Sequence, residues 1–304
     1  MVIGVRVRGT LAASVTPLRE GGTSVDIDAI GDLVDFYVRA GLDGLLALGT
    51  TGEGILLTEE ERRETAERFL STAAHRIPII VHCGAQTTRD TIALAEHAAH
   101  NGAAGVAVIP PPYFALDADA LWRHLDAAAS ACAPIPFYVY EFAARSGYPV
   151  PIAVVERLRT TAANLAGLKV SDTPFERVEP YLLPGLDVFI GAEGLIHQGL
   201  ARGAAGAVSG LAAALPELTI AAVPSASPEA SARAARARTA IEHVPFLSAL
   251  KFILRRRGVE IDDVVRPPLP TLNASQRQTL HALIDDAQGE IAAVLNAGVG
   301  PGGH

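Results

Sequence analysis

The sequence predicts an α/β fold, a (β/α)8 TIM barrel followed by a C-terminal helical extension. Short apolar runs of strand length alternate with stretches of helical periodicity, which is typical of parallel sheets built from βα units. Eight such runs occur within about the first 210 residues, and this number favours a closed barrel. An open, doubly wound sheet is the structural alternative, but the chain lacks a nucleotide-binding glycine loop after its first strand.

A pair of glycines recurs where a helix ends and a strand begins. The first glycine stops the helix, and the second opens an apolar strand three residues later. The pairs are Gly41 and Gly44, Gly102 and Gly105, and Gly203 and Gly206. This repetition indicates that one βα unit is used several times.

The predicted strands follow the apolar runs in order. They are Thr10–Val15, Gly44–Leu48, Pro78–His82, Gly105–Ile109, Pro136–Tyr140, Leu165–Lys169, Asp187–Ile190 and Gly206–Ser209. The first helix is predicted over 26–40 from its apolar spacing, and Thr58 with Glu61 predicts a capping box at the second helix.

The composition changes after about residue 222. We therefore expect two units: 1–222, the barrel with the active site, and 223–304, a C-terminal α-helical domain. The stretch 224–228 is proline- and serine-rich and is interpreted as a hinge. Helices without strands are predicted over 229–242, 246–257 and 274–297, with a loose tail over 298–304.

Composition and charge exclude several classes of partner. The net charge of −8 comes without a basic stripe, so neither nucleic acid nor an anionic membrane is expected to bind. Cys83 and Cys132 are isolated, which indicates no disulfide framework and no metal site. The chain starts without a signal-peptide pattern, and we expect a cytoplasmic protein.

Lys169 is the most informative single residue. Only two of the 25 basic side chains are lysines, and Lys169 ends the apolar run that begins at Leu165. A lysine amine can attack a carbonyl after losing its proton, whereas a guanidinium is a poor nucleophile. The other lysine, Lys251, lies in an amphipathic run. We interpret it as structural and expect arginine to replace it with little effect.

Other polar residues are predicted at the same end of the barrel, where (β/α)8 enzymes carry their chemistry. Gly49, Thr50 and Thr51 follow the second strand, Tyr140 ends the fifth, and Arg145 comes soon after it. Hydroxyls and backbone N–H groups in a glycine-flanked turn suit a carboxylate. An arginine can bind a second carboxylate or a polyol, and a tyrosine can transfer a proton.

The same residues carry a resemblance that covers nearly the whole chain. The sequence resembles the dihydrodipicolinate synthase / N-acetylneuraminate lyase family. The matching stretches are Thr16-Pro17-Leu18, Gly49-Thr50-Thr51-Gly52-Glu53, Tyr140 with Ala144-Arg145-Ser146-Gly147, Gly167-Leu168-Lys169, Gly203–Ser209 and Arg266–Pro270.

The resemblance implies a role for each matched residue. Lys169 would form an imine, and Tyr140 would shuttle protons. Thr50 and Thr51 would bind the carboxylate of a 2-oxo acid such as pyruvate and relay the proton, with Gly49 binding substrate in the same turn and Arg145 near the incoming substrate. Val208 would line the pocket. Members are commonly homotetramers without metal or organic cofactor, so a homo-oligomer, dimer or tetramer, is expected.

Some positions depart from the synthase pattern. Phe114 follows Tyr113 where synthases have a second tyrosine that reaches the neighbouring subunit, so Tyr113 and Phe114 are candidate subunit contacts without the usual hydroxyl. Glu141 replaces an asparagine. His82 and Cys83 replace the usual strand-end residues and receive no role. Glu59 and Gln86 occupy the positions of the lysine feedback site.

The leading hypothesis is a Schiff-base-forming lyase or aldolase acting on a 2-oxo acid and an aldehyde. Dihydrodipicolinate synthase itself is the first alternative, favoured by the intact Gly49–Glu53 turn and opposed by Phe114. A sugar-acid dehydratase using the same lysine is the second. A non-catalytic, metabolite-binding barrel remains the hypothesis from a different class.

Overall fold

The barrel predicted from the sequence is present and closed. A computed structural model describes residues 6–285, and its eight parallel strands pair in chain order, with the last strand returning to the first. The strands are β1 (Gly9–Ala13), β2 (Gly44–Ala47), β3 (Ile79–His82), β4 (Gly105–Val108), β5 (Phe137–Glu141), β6 (Leu165–Val170), β7 (Asp187–Ile190) and β8 (Gly206–Ser209). Each predicted strand end lies within two residues of the observed one.

Side chains from every strand fill the interior of the barrel. They form one apolar cluster, because alternate residues of each strand face the axis. Its members are Val7, Leu11, Ala13, Leu46, Ile80, Ala107, Tyr138, Ala166, Phe189 and Val208. The other face of each strand packs against the surrounding helices in a second, larger cluster.

Helices surround the sheet and continue beyond it. They are α1 (Ile30–Arg39), α2 (Glu59–Ala73), α3 (Thr88–His100), α4 (Ala118–Cys132), α5 (Ala143–Ser146), α6 (Ile152–Thr161), α7 (Phe175–Val178), α8 (Ile196–Ala201), α9 (Pro216–Ser225), α10 (Pro228–Ile241), α11 (Phe246–Arg256) and α12 (Ala274–Asp285). A short antiparallel hairpin, Leu18–Arg19 with Ser24–Val25, lies between β1 and α1.

The capping box of α2 is confirmed. The Thr58 hydroxyl accepts from the Glu61 N–H at 3.2 Å, and the Glu61 carboxylate accepts from the Thr58 N–H at 2.9 Å. In contrast, α1 begins at Ile30, four residues after the predicted start at Asp26. The Asp26 N–H donates to Pro17 instead, and the Asp26 side chain accepts from the Ala29 N–H. Asp26 therefore forms a turn before the helix.

The glycines at the helix ends behave as predicted. Gly41, Gly102 and Gly203 have φ of 78°, 81° and 90°, in the left-handed region that favours glycine. By strand alternation, Gly167 is expected to face the barrel axis together with Lys169 and to leave room below the lysine. A side chain there would not enter an open space below Lys169, because its Cβ would lie 1.8 Å from the backbone oxygen of Asp187 on β7. Gly167 instead lets β6 and β7 approach closely.

The C-terminal helices pack on the barrel. Helix α9 contacts β1 and β8, and α10 contacts α9. Residue 222 falls inside α9, and the stretch interpreted as a hinge supplies the end of α9 and the two-residue link to α10. The division into a barrel and a helical unit stays a prediction. The predicted extension of the last helix to 297 and the loose tail lie outside the described residues.

No helix between residues 6 and 285 is long and apolar enough to cross a membrane.

Two glycine-to-alanine substitutions should have opposite effects on stability. Gly167→Ala should lower the free energy of unfolding by about 3 kcal/mol or more, because the added methyl overlaps the backbone of β7. Gly31→Ala should raise it by roughly 0.5–1 kcal/mol, since Gly31 lies within α1 with no atom near its would-be methyl. Urea denaturation of both variants measures this. Equal stability of the two would contradict the close approach of β6 and β7.

Candidate active site

Lys169 and Tyr140 lie side by side at the carboxyl end of the barrel. They are paired residues in the register of β5 and β6. The Lys169 Nζ lies 4.0 Å from the centroid of the Tyr140 ring, and both side chains are buried. Strand pairing therefore fixes the amine against an aromatic face, where a cation is attracted to the ring.

The turn after β2 brings hydroxyl groups to the same place. The Thr50 hydroxyl and the Tyr140 hydroxyl are 3.1 Å apart and hydrogen-bonded. Thr51 is buried, and its hydroxyl lies beside Gly210, so that a methyl on Gly210 would come within 3.3 Å of it. The structure thus brings together Lys169, Tyr140 and Thr50, three residues predicted to act together.

The surroundings of Tyr140 favour its ionised form. Burial raises the pKa of Tyr140, but the Lys169 charge and hydrogen bonds with Thr50, Lys169 and Ser171 outweigh burial, and the pKa lies below its usual value. A lowered pKa increases the fraction of the phenol that is ionised, and the phenolate can accept a proton. Tyr140 therefore suits a proton-transfer role.

His82 extends the aromatic wall of the site. Its ring stands edge-on to Tyr140 at 5.9 Å between centroids. Burial, aided by the charges of Arg62 and Lys169, lowers the pKa of His82 to about 3, so the ring is neutral. Its Nδ1 donates to the Leu48 carbonyl at 3.1 Å, because a carbonyl can only accept. His82 therefore supports the start of the turn that carries Thr50.

The end of β3 is fixed from outside by Arg62 of α2. Its buried guanidinium donates to the carbonyl oxygens of His82 and Gly84 at 2.8 and 3.0 Å. Arg62 carries no distinguishing signal in the sequence, because an arginine in a charged helix resembles a surface residue.

Arg145 is exposed, at the start of the segment that follows β5. It makes no ion pair within residues 6–285, and its guanidinium lies 5.8 Å from the ring centroid of Phe142. Phe142 in turn stacks on Tyr140, with 6.3 Å between centroids. Arg145 is thus connected to the site through one aromatic ring, with its guanidinium available for a charged ligand.

The remaining predicted residues have clear positions. Gly49 is buried at the start of the turn, where its carbonyl accepts from the Gly54 N–H. Val208 faces the barrel interior within the apolar cluster. Tyr113 and Phe114 lie away from the barrel axis, 88% and 72% exposed, and contact each other edge to face.

Glu141 and Asp172 form a buried acidic pair beside the site. The Glu141 Oε2 accepts from the Val150 N–H at 2.7 Å, and Asp172 accepts from the Ala143 N–H at 3.4 Å. Burial, together with Asp172, raises the pKa of Glu141 to about 8 despite the Val150 hydrogen bond. A protonated Glu141 can donate to Asp172. The pair therefore ties both ends of the segment that carries Arg145.

Glu53, the last residue of the turn, forms an ion pair with Lys251. Its carboxylate contacts the Lys251 Nζ at 2.6 Å, and both side chains are fully buried. Burial lowers the pKa of Lys251, while the charge of Glu53 opposes this. Both residues are noticeable in the sequence, but 198 positions separate them, so their contact could not be predicted from a local pattern.

A second network lies at the end of β8. The Glu193 carboxylate accepts from the Ser209 hydroxyl at 2.6 Å and from the Leu211 N–H at 3.2 Å, and Arg238 lies 3.5 Å away. Sequence reasoning missed Glu193 and Arg238. A charged residue shortly after an apolar strand was the available signal for Glu193, as it was for Asp172.

Within residues 6–285, no group of three or more histidine, cysteine or acidic side chains is arranged to hold a metal ion. Cys83 and Cys132 are buried free thiols. Burial raises the pKa of each to about 12, which is characteristic of unreactive thiols.

Residues 6–287 match the dihydrodipicolinate synthetase family. The chain belongs to this family. It is 34% identical to an N-acetylneuraminate lyase from Rhizobium meliloti over 67% of this chain and 68% of that protein. It is also 30% identical to a 4-hydroxy-tetrahydrodipicolinate synthase from Chelativorans sp., over 92% and 98%.

A solved structure of the family shows the same architecture. YagE, a prophage protein from E. coli K12 solved in complex with pyruvate, superposes with a TM-score of 0.85 at 25% identity, covering 91% of this chain and 97% of that one. Family membership makes this chain an enzyme, a lyase. The hypothesis of a non-catalytic barrel is therefore set aside.

The raised pKa of Glu141 predicts a specific pH dependence of stability. The folded state holds this proton up to about pH 8, whereas an ordinary glutamate releases it near 4.5. Between these values the folded state binds more protons than the unfolded state, so the free energy of unfolding falls as pH rises. Glu141→Gln removes this titration and should flatten the decline, as measured by thermal unfolding from pH 5 to 8.

Glu156→Gln on the exposed face of α6 is the matched control and should keep the wild-type slope. Identical pH dependence in Glu141→Gln and wild type would show that Glu141 does not hold a proton in the folded protein.

Proposed function

We propose that this protein is an imine-forming lyase that cleaves a 4-hydroxy-2-oxo acid into pyruvate and an aldehyde, or joins the two. The observation that carries the proposal is the Lys169 amine over the Tyr140 ring, with the Tyr140 hydroxyl bonded to Thr50. A nucleophile and an acid–base group within one buried site are the parts that this chemistry needs.

The reaction begins with the Lys169 amine attacking the C2 ketone of the substrate. Loss of water gives a protonated imine, which withdraws electrons from the adjacent carbons. Tyr140 removes the proton of the C4 hydroxyl, the C3–C4 bond breaks, and the aldehyde leaves. The bonding electrons form an enamine, which takes a proton at C3, and water then releases pyruvate and restores the amine.

The carboxylate of the 2-oxo acid is assigned to the turn after β2. Thr50 and Thr51 offer hydroxyls there, and the turn offers backbone N–H groups from Gly49 onwards. Arg145 is assigned to the other end of the substrate, since its exposed guanidinium can bind a carboxylate or a polyol. Val208 is assigned to the pocket wall.

The relatives support pyruvate as the 2-oxo acid and do not identify the aldehyde. The E. coli relative was solved in complex with pyruvate, and two other relatives are named N-acetylneuraminate lyase and 4-hydroxy-tetrahydrodipicolinate synthase. We further propose a homo-oligomer in which the exposed pair Tyr113 and Phe114 packs against a neighbouring subunit, because an exposed aromatic pair of this size suits an interface.

Trapping of the imine tests this proposal. Incubation with pyruvate and borohydride should add one reduced pyruvate per chain, and peptide mass spectrometry should locate it on Lys169. Lys169→Ala should take no label and lose turnover while unfolding at a similar temperature. An unlabelled wild-type protein with every 2-oxo acid tried would remove the proposal.

Dihydrodipicolinate synthase remains the second candidate, since the Gly49–Glu53 turn is intact. Phe114 stands against it, because the synthase reaction uses a hydroxyl at that position. Losing a positioned acid–base group typically costs on the order of 10²–10⁴ in rate. We therefore expect kcat/KM to be higher for cleavage of a 4-hydroxy-2-oxo acid than for condensation of pyruvate with aspartate semialdehyde.

Phe114→Tyr provides the matched comparison on the same preparation. It should improve the condensation and leave the cleavage nearly unchanged, since Tyr140 handles the aldol proton. Efficient condensation by the wild-type protein would favour the synthase assignment.

A further inference from the structure

The Lys251–Glu53 ion pair is fully buried at the end of the turn that carries Thr50 and Thr51. The Lys251 Nζ donates to Glu53 Oε1 at 2.6 Å and to the Val264 carbonyl at 2.8 Å. The other oxygen, Glu53 Oε2, accepts from the Arg266 N–H at 2.6 Å. One carboxylate oxygen is therefore held by α11, and the other is held by the segment between α11 and α12.

The turn requires such anchors, because its backbone is strained at both ends. Leu48 and Glu53 have φ of 60° and 56°, in the left-handed region that residues with a Cβ rarely adopt. Strained residues of this kind persist only where the surrounding structure determines their conformation. A turn with both ends in this region would relax if its anchors were removed.

Three anchors hold the turn in this conformation. His82 donates to the Leu48 carbonyl at its beginning, and the Thr16 hydroxyl donates to the Gly52 carbonyl at 2.7 Å. Lys251 and the Arg266 N–H hold Glu53 at its end. The Glu53 anchor is charged and fully buried, so removing one partner leaves an uncompensated charge.

We propose that Lys251 is a positioning residue for catalysis, which fixes Thr50 and Thr51 for the substrate carboxylate and for Tyr140 by clamping Glu53. The proposal rests on the role assigned to that turn under the proposed function. It also accounts for the lysine content of the chain, since the only two lysines, Lys169 and Lys251, then serve one site.

A lysine suits this position better than an arginine. The ammonium is compact and can direct its donors to the Glu53 carboxylate and the Val264 carbonyl within a completely buried space. An arginine would place a larger planar group there and displace its neighbours. We therefore expect Lys251→Arg to disturb the turn, in contrast to the little effect expected from the amphipathic run around Lys251.

Lys251→Met tests the clamp, because methionine retains similar length and flexibility without the charge. We expect the rate of imine formation with pyruvate to fall roughly ten- to a hundredfold, since a misplacement of about 1 Å can cost on the order of 10²-fold. The KM for the 2-oxo acid should rise. The pKa of Tyr140 should also rise, because the Thr50 hydrogen bond contributes to lowering it.

Ultraviolet difference titration reports the ionisation of Tyr140 without any substrate, when each spectrum is compared with that of the same protein carrying Tyr140→Phe. Arg257→Met is the matched control. Arg257 caps the same helix, α11, and pairs with Glu217 away from the turn. It should lower the unfolding temperature and leave both the Tyr140 pKa and the KM unchanged.

Glu53→Gln gives a second variant of nearly the same shape. Its amide replaces one of the two oxygens with an NH₂ group, so one of the two donors, the Lys251 ammonium or the Arg266 N–H, would face another donor. We expect the same direction of change in imine formation and in the Tyr140 pKa as in Lys251→Met. If Lys251→Met does not fold, Glu53→Gln decides the proposal by the same two measurements.

A folded Lys251→Met protein with wild-type Tyr140 ionisation and wild-type imine formation overturns the proposal, and so does an equal kinetic loss in Arg257→Met. If the wild type forms no imine with any 2-oxo acid, the proposed function fails while the Tyr140 titration still tests the clamp. A raised Tyr140 pKa would then support positioning of the turn, and an unchanged one would overturn it.

Discussion

The site depends on the closed parallel register of the barrel. Closure pairs β1 with β8 and β1 with β2, so the carboxyl ends of all strands surround one opening. The pairing of Tyr140 with Lys169 sets the amine over the ring. Thr50 reaches the same tyrosine from across that opening. A one-residue slip of β6 would turn Lys169 toward the helices and leave a buried, unpaired amine.

Local sequence signals predicted the barrel well, because βα units repeat. Apolar runs identified the strands, and glycines at the helix ends identified the junctions. The errors arose where a tertiary contact competed with a local pattern. Asp26 fits a helix start, but its backbone pairs with Pro17. Gly167 fits an inward position with space beside it, but the backbone of β7 fills that space.

The site was only partly predictable for the same reason. Lys169 and Tyr140 lie near the carboxyl ends of strands, and Thr50 follows one. The carboxyl ends of barrel strands meet at one opening irrespective of the loops. The groups that hold them come from distant elements: Lys251 from α11 and Arg62 from the outer face of α2. In sequence these residues resemble members of an amphipathic and a charged helix. Only the packed structure shows that their charges are turned inward.

The two lysines, Lys169 and Lys251, have different surroundings, and we expect their roles to differ accordingly. Lys251 has a carboxylate at 2.6 Å and a carbonyl at 2.8 Å. Its side chain is fully buried behind the turn, so it cannot reach a substrate in the opening. Within residues 6–285, Lys169 has no carboxylate partner, and it faces an aromatic ring and a phenol instead. The negative charge of Glu53 points away from the opening, toward Lys251. The acidic residue of the turn thus pairs with the lysine behind the site, whereas the lysine inside the site, among the described residues, keeps no carboxylate partner.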